Sequence, residues 1–523
     1  MNNPIGATVA VRRNIFSGLA VSPQSRQSAS RCVPIEIRQF VLNITGKVVH
    51  SLKWLSISKL LAQGIRWIVT FIVIRILLPE DYGLMAMSDV VISFFALFAT
   101  AGLASALVQV KSFTEMQIRE LFGLLLSINL VLAVAVFLIA PQAAAFYHEE
   151  RLISVLHALL LGFLITAIET LPSALLNREM RFKALSLIDL GAAITSAMVT
   201  LTLALSGIGV WSLVIGYLSE MTLRAVLKFS LQPVKVWPKF SFTESLPLLQ
   251  FGGTMTLGSM VWFAFVNTDM VIGGRLWATE TLGIYAVAMQ ISQIPLSKLT
   301  PMLKQVAFPA YSNLLHKGDE IGPYFIKASG LAMFITFPVF FGMASTANTY
   351  VPLLLGEKWL AVILPATLIP LTLPFRVAQE LIDPAMQARG YPRGVVINWV
   401  FALLVTGPSL YIGAKFWGLE GLCWAWVISF PIAFLFSASK ACQVLDVSMG
   451  EYLATLARPL ACASLMYAAI GVECYFTVDF LPLAAQLTIQ IISGVIVYLV
   501  ASRFLCSNEM RHLLELARNV RSQ

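Results

Sequence analysis

Apolar residues in this chain run in long blocks rather than in alternation. A helix needs about 20 predominantly apolar residues to cross the hydrocarbon of a bilayer, and blocks of that size recur from residue 54 almost to the end. Backbone in lipid must satisfy its own hydrogen bonds, as helices or as closed barrels. These blocks are too long for barrel strands and lack their period of two, so the pattern predicts helices. Fourteen spans emerge, near 54–78, 84–110, 120–140, 153–175, 184–206, 209–229, 248–272, 281–306, 325–349, 360–386, 394–414, 418–439, 457–473 and 481–504. The connections are short, and none has the length of a separate catalytic domain.

A repeat organises these spans. Arg75, Glu80, Gly83 and Ala86 recur at one constant offset as Arg275, Glu280, Gly283 and Ala286. Ala174, Arg178 and Gly207 face Ala385, Arg389 and Gly418 at a slightly larger one. Both matches join topologically equivalent loops, which predicts a parallel repeat. The expected class is all-α, a polytopic membrane protein of two six-helix bundles plus two C-terminal helices. The expected divisions are a cytoplasmic tail at 1–50, an N-terminal bundle at 51–232, a C-terminal bundle at 233–442, and helices 13–14 with a cytoplasmic tail at 443–523.

Composition agrees with the pattern. Hydrophobic residues make up 58% of the chain and charged ones 12%, against roughly 25% charged in soluble domains. Of the Lys and Arg between spans, only Arg151, Arg275, Lys358 and Lys415 fall on the side opposite the N-terminus. The bias of basic residues toward the cytoplasmic face therefore puts both termini in the cytoplasm. That bias also accounts for the net charge of +9 without a nucleic-acid partner. Residues 1–50 lack the apolar core of a secretory signal; they read as a disordered tail or as translation from a start codon placed too early. Met510, Leu513, Leu514 and Ala517 share one face, which fits a short interfacial helix or a frayed end. The six cysteines show no paired spacing, the histidines no HExxH, and no glycine-rich phosphate loop occurs, so no metal or cofactor is expected.

Charges within the spans carry the functional signal. Each costs roughly 2.5–3.5 kcal/mol to insert, and such residues face a bundle interior or a wet cavity. Arg66, Lys298 and Arg376 lie deep in three different spans, with Arg75 and Lys304 nearer the ends. A buried ion pair is the alternative for each; as a set they predict a cationic central cavity. Asp269 and Glu380 are candidates for ion coupling, and helix pairing explains either equally well. Pro295, Pro301 and Pro309 in span eight and Pro365, Pro370, Pro374 and Pro384 in span ten predict kinks that line the cavity or bend during movement.

Several segments resemble a known family. They are Gln63-Gly64-Ile65-Arg66, the run Arg75-Ile76-Leu77-Leu78-Pro79-Glu80-Asp81-Tyr82-Gly83-Leu84, Ala174 to Phe182, and Gly209-Val210-Trp211-Ser212-Leu213. They look like Wzx-type polysaccharide flippases of the colanic-acid and succinoglycan kind, members of the multidrug/oligosaccharidyl-lipid/polysaccharide superfamily, over roughly residues 45–505. The N-terminal extension departs from that pattern. The resemblance implies a transporter rather than an enzyme, in a bacterial inner membrane. It would move an undecaprenyl-pyrophosphate-linked oligosaccharide toward the outer leaflet for lipopolysaccharide, capsule or exopolysaccharide synthesis. Membrane lipid, a polysaccharide polymerase and a chain-length regulator would be its partners. Arg66, Lys298 and Arg376 would meet the anionic head group, with Arg75 and Lys304 at the mouths. A drug or cation antiporter of the same superfamily is the first rival and predicts an acid-dominated cavity. A membrane polymerase or ligase is the second, and predicts a large outer loop that the sequence lacks.

Overall fold

The computed structural model describes residues 63–99, 114–233, 236–241, 246–477, 481–507 and 509–511. The expected N-terminal tail and the interfacial helix beyond 511 lie outside them. Helix α1 occupies 63–76, followed by α2 (Pro79–Ala99), α3 (Glu115–Tyr147), α4 (Arg151–Leu159) and α5 (Leu161–Arg178). Then come α6 (Phe182–Leu205), α7 (Val210–Leu231), α8 (Leu246–Leu276), α9 (Thr279–Lys317), α10 (Ile321–Ser345) and α11 (Ala347–Leu355). The C-terminal part holds α12 (Ile363–Leu368), α13 (Leu373–Ala388), α14 (Pro392–Val444), α15 (Met449–Thr477) and α16 (Leu483–Leu505). The protein is all-α, and ten of its helical segments are long and apolar enough to cross a bilayer among the described residues. The longest, α14, is two helices joined at Gly418; α1, α8 and α9 pack among the rest, so the total approximates the fourteen spans expected.

The helices run up and down between two ends. One end gathers residues 77–82, 147–151, 275–283 and 353–359; the other gathers 178–182, 232–241, 389–392 and 445–449. Local chemistry sets where helices begin and stop. Thr114 caps α3 by accepting from the Gln117 amide at 3.2 Å, while the Gln117 side chain accepts from the Thr114 amide at 3.1 Å, a reciprocal capping box. At the far end of α3, His148 takes a left-handed conformation with φ 58°.

The repeat is visible in the backbone. Gly83 at the start of α2 packs against the Thr279 carbonyl, and Gly283 at the start of α9 packs against the Pro79 carbonyl. Two symmetry-related elements thus meet through matching glycines, because only a residue without a Cβ lets the backbones approach so closely. The second match shifts by one residue from the sequence expectation. Met180 and Gly390 share a left-handed φ, and the amides of Arg181 and Tyr391 close the same turn, onto Leu176 at 3.0 Å and Met386 at 2.9 Å. The partner of Gly418 (φ 60°, ψ −142°) is Gly209 (φ 61°, ψ −133°), two residues from the expected Gly207. Backbone conformation, not residue identity, fixes the register.

The two proline-rich spans behave differently. Helix α9 stays continuous through Pro295, Pro301 and Pro309. The segment before α13 breaks into short pieces: 3-10 turns at Glu357–Val362 and Ile369–Thr372 flank α12. Pro370 and Pro374 sit at the first turns of the second 3-10 turn and of α13, where a missing N–H costs nothing. Three large apolar clusters and a small fourth, between α3 and α5 around Leu121, Leu125 and Leu171, fill the interior. One joins α2 to α3, α4 and α7; one joins α9, α10 and α13 to α15 and α16; the third, around Ile74, Tyr285, Trp359 and Trp426, bridges α1 to the C-terminal helices.

Candidate functional site

A cavity of about 540 Å³ lies between α1, α2, α6 and α7 on one side and α8 and α9 on the other. It runs from Tyr82, beside the first end of the molecule, to Arg66, Glu220 and Gln293 at mid-helix depth. Its wall is polar for a membrane interior, with Ser196, Thr200, Tyr217, Asn267, Gln290 and Gln293 among the lining residues. Arg66 donates to Glu220 at 3.1 Å, and Arg224 reaches the same carboxylate oxygen at 3.2 Å. The Arg66 side chain remains 48% exposed. Asp89 completes the charged lining. The wall therefore carries one cation and two acids among the described residues, where the sequence suggested a cationic surface.

The sequence-predicted residues separate into three places. Arg66 lines the cavity. Lys298 is exposed on α9, where its ammonium donates to the Gln63 side chain at 2.8 Å and sits 5.9 Å from the Trp67 ring. It belongs to the same α1–α9 seam but not to the cavity lining. Arg75 turns to the first end, donating to the Leu353 carbonyl at 2.8 Å, and so closes the C-terminus of α11. Lys304 lies on α9, and its side chain is outside the described residues.

Arg376 lies in a different place again. Its guanidinium is held by aromatic faces, 4.5 Å from Trp426, 5.6 Å from Phe430 and 5.7 Å from Phe265. Asp269 lies close enough to act on it electrostatically, as does Glu380 one helical turn along α13. Asp269 is fully buried; it accepts from the Tyr285 hydroxyl at 2.6 Å, the Trp426 indole at 3.3 Å and the Met270 amide at 2.8 Å. Asp269 has its hydrogen bonds from this cluster, and the Arg376 guanidinium offsets its charge electrostatically without a direct ion pair. The cage residues Tyr285, Trp426 and Phe265 escaped sequence reasoning, since aromatic residues in apolar spans carry no local mark. Gln290 and Gln293 did carry one, as paired amides one turn apart inside a span.

The first end is closed by side chains as well as by glycines. Lys358 donates to the Ile76 carbonyl at 2.8 Å and Trp359 to the Ile74 carbonyl at 2.8 Å. Glu149 accepts from the Thr279 hydroxyl at 2.8 Å and from Arg151 at 2.8 Å. Arg275 reaches the Phe146 carbonyl and His148. The Arg151 hydrogen bond holds the Glu149 carboxyl down to about 2.

The cavity is thus polar, lies at mid-depth between the two halves and is closed at one end. Solved structures share the fold: a lipid II flippase, MurJ, in an inward closed conformation superposes with a TM-score of 0.68 at 15% identity, covering 86% of this chain and 97% of that one. An inward-facing multidrug resistance MATE family transporter of the MOP superfamily gives 0.57 at 14% identity, over 74% and 96%. The family model of polysaccharide biosynthesis proteins matches residues 72–364, and the chain belongs to that family. Among its relatives, the teichuronic acid biosynthesis protein TuaB of Bacillus subtilis is 24% identical over 87% of this chain and 95% of its own. The lipopolysaccharide biosynthesis protein WzxC of Escherichia coli is 24% identical over 73% and 78%. The succinoglycan biosynthesis transport protein ExoT of Rhizobium meliloti is 25% identical over 73% and 78%.

Proposed function

We propose that the protein is a flippase that carries an undecaprenyl-pyrophosphate-linked oligosaccharide across a bacterial inner membrane for surface polysaccharide synthesis. The observation that carries this reading is the polar cavity between the two halves, sealed at one end and lined by amides and hydroxyls that suit a glycan. Family membership and relatives named for teichuronic acid, lipopolysaccharide and succinoglycan biosynthesis support the class of cargo. Both termini are placed in the cytoplasm by the basic-residue bias, so the sealed end faces outward. The bundles at 51–232 and 233–442 then rock so that the Gly83–Gly283 contact parts as the outer end opens, and the lipid tail stays in the bilayer. Arg66 and Lys298 take the pyrophosphate as it enters along the α1–α9 seam, and the Glu220 pairing of Arg66 is exchanged for substrate. Arg376, in its aromatic cage, supports Asp269, which with Glu380 is the candidate carrier of a coupling ion.

The test is surface-polysaccharide output from cells carrying Arg66→Ala with Lys298→Ala, set beside membrane abundance of the protein. Export should vanish with abundance unchanged; full output from the double variant would sink the assignment. One observation favours a second reading: Asp89 and Glu220 put acid into the cavity wall, as a cation or drug antiporter requires. Uptake of a cationic dye into inside-out vesicles against a proton or sodium gradient distinguishes the two, since a dedicated glycan-lipid flippase gives none.

A further inference from the structure

The end of the bundle opposite the seal carries a second polar cleft, about 390 Å³, between α10, α15 and the segment after α16. Four charged side chains converge on it: Lys327 from α10, Glu451 and Arg458 from α15, and Glu509 beyond the end of α16. No ion pair joins any of these four among the described residues, although two are acids and two are bases. One Glu509 carboxylate oxygen is buried with no hydrogen-bond partner, which is costly for a charged group unless something supplies a donor. Gly330 keeps the cleft open: a Cβ there would meet the Thr455 methyl at 2.8 Å and approach the Glu509 side chain at 3.9 Å.

Its depth and surroundings place the cleft against lipid headgroups. Lys327 lies in the second turn of α10, Glu451 in the first turn of α15, and Glu509 just past α16, all at helix ends where a spanning helix meets the interface. Tyr324, 50% exposed, and Leu453, 36% exposed, flank the same helix faces, so the cleft opens beside an apolar, lipid-facing surface. A charge set of this composition matches a zwitterion. Lys327 and Arg458 suit a phosphodiester, by the charge-assisted bonds that cations make to phosphate oxygens. Glu509 and Glu451 suit an ammonium that still has N–H groups to give.

We propose that this cleft is a structural binding site for a zwitterionic phospholipid with a primary ammonium, the phosphatidylethanolamine headgroup. A purely anionic headgroup would leave Glu509 and Glu451 facing further negative charge. A quaternary choline headgroup would bring charge without a donor for the Glu509 oxygen.

The experiment titrates delipidated, full-length protein in detergent with short-chain phosphatidylethanolamine, phosphatidylcholine and phosphatidylglycerol, and counts bound lipid by native mass spectrometry. Ethanolamine lipid should bind about tenfold or more tightly than either competitor, the weight of one charge-assisted hydrogen bond. Lys327→Gln with Arg458→Gln should lose about that factor for ethanolamine lipid, and Glu509→Gln should narrow its margin over the choline lipid. Lys327 and Arg458 are exposed and Glu509 is half-buried, so the melting temperature without added lipid serves as the folding control. Equal retention of ethanolamine and choline lipids, tighter binding of the glycerol lipid, or undiminished binding by the double variant overturns the site. Lipid counting needs no transport, so its outcome stands apart from the flippase reading.

Discussion

Arg66 and Arg376 look alike in the sequence, each a lone guanidinium deep in an apolar span, yet they do different work. Arg66 stays half-exposed and shares the Glu220 carboxylate with Arg224. Without Arg66 the Glu220 carboxylate keeps Arg224 as its partner, so removing Arg66 should leave stability nearly intact, and loss of export in its variants is attributable to substrate handling. Arg376 has no such freedom, being held over Trp426 and under the influence of Asp269. No direct ion pair joins the two, but removing either charge leaves the other uncompensated, a loss bounded above by the about 3–5 kcal/mol of a broken buried pair. Arg376→Met should therefore lower the melting temperature sharply in detergent, as should Asp269→Asn. The double variant should recover much of the loss, a non-additivity that marks direct coupling. Simple additivity of the two would show that they act separately. The depth of both arginines was legible in the sequence from hydropathy alone. Their difference was not, because Phe265, Trp426 and Phe430 come from helices far apart in the chain and meet Arg376 only when α8, α13 and α14 pack.

At the level of elements, glycine marks where the two halves of the fold touch and turn. Gly83→Ala would place a methyl into the Thr279 carbonyl, and Gly283→Ala into that of Pro79. Overpacking against backbone costs about 1–3 kcal/mol, and here the penalty falls on the sealed conformation. Gly83→Ala should reduce thermal stability and raise the exposure of cysteines placed near Tyr82 to a membrane-impermeant thiol reagent. Unchanged labelling with unchanged stability would mean that this contact does not hold the seal. Gly191, with open space around it, is the matched control. The first of these contacts could be foreseen, since Gly83 and Gly283 recur at a constant offset. The partnership of Gly209 with Gly418 could not, because the shared property is a positive φ and the neighbouring Gly207 offers one too. Proline showed the same limit. It predicted kinks in span eight and in span ten alike, yet α9 stays helical throughout while the segment before α13 divides into short pieces. A kink depends on whether neighbours re-satisfy the freed carbonyls, which the local sequence does not encode.

For the molecule as a whole, the sealed end is a latch built from both halves, and Glu149 is its hinge-pin. Its carboxylate takes the Thr279 hydroxyl from the start of α9 while Arg151 holds it ionised. A carboxyl depressed to about 2 contributes to the closed state in full above the ordinary carboxylate range and loses that contribution as pH falls from there through about 2. Between roughly pH 5 and 8 this group binds no proton in either state, so it adds no pH dependence to closure. Acidifying the outer face over that window should leave this link intact, whereas Glu149→Gln should weaken it at every pH. The proposed alternating access makes a stronger demand: the latch must open for cargo to leave. With Glu149→Cys and Thr279→Cys, a short bis-methanethiosulfonate should bridge the two positions, since the native side chains meet at 2.8 Å. Bridged protein should stop exporting, and a reducing agent should restore export to the level of the unbridged variant. Full export through the bridged protein would mean that cargo leaves by a route that never parts α9 from the α3–α4 turn, and the rocking mechanism would have to be abandoned.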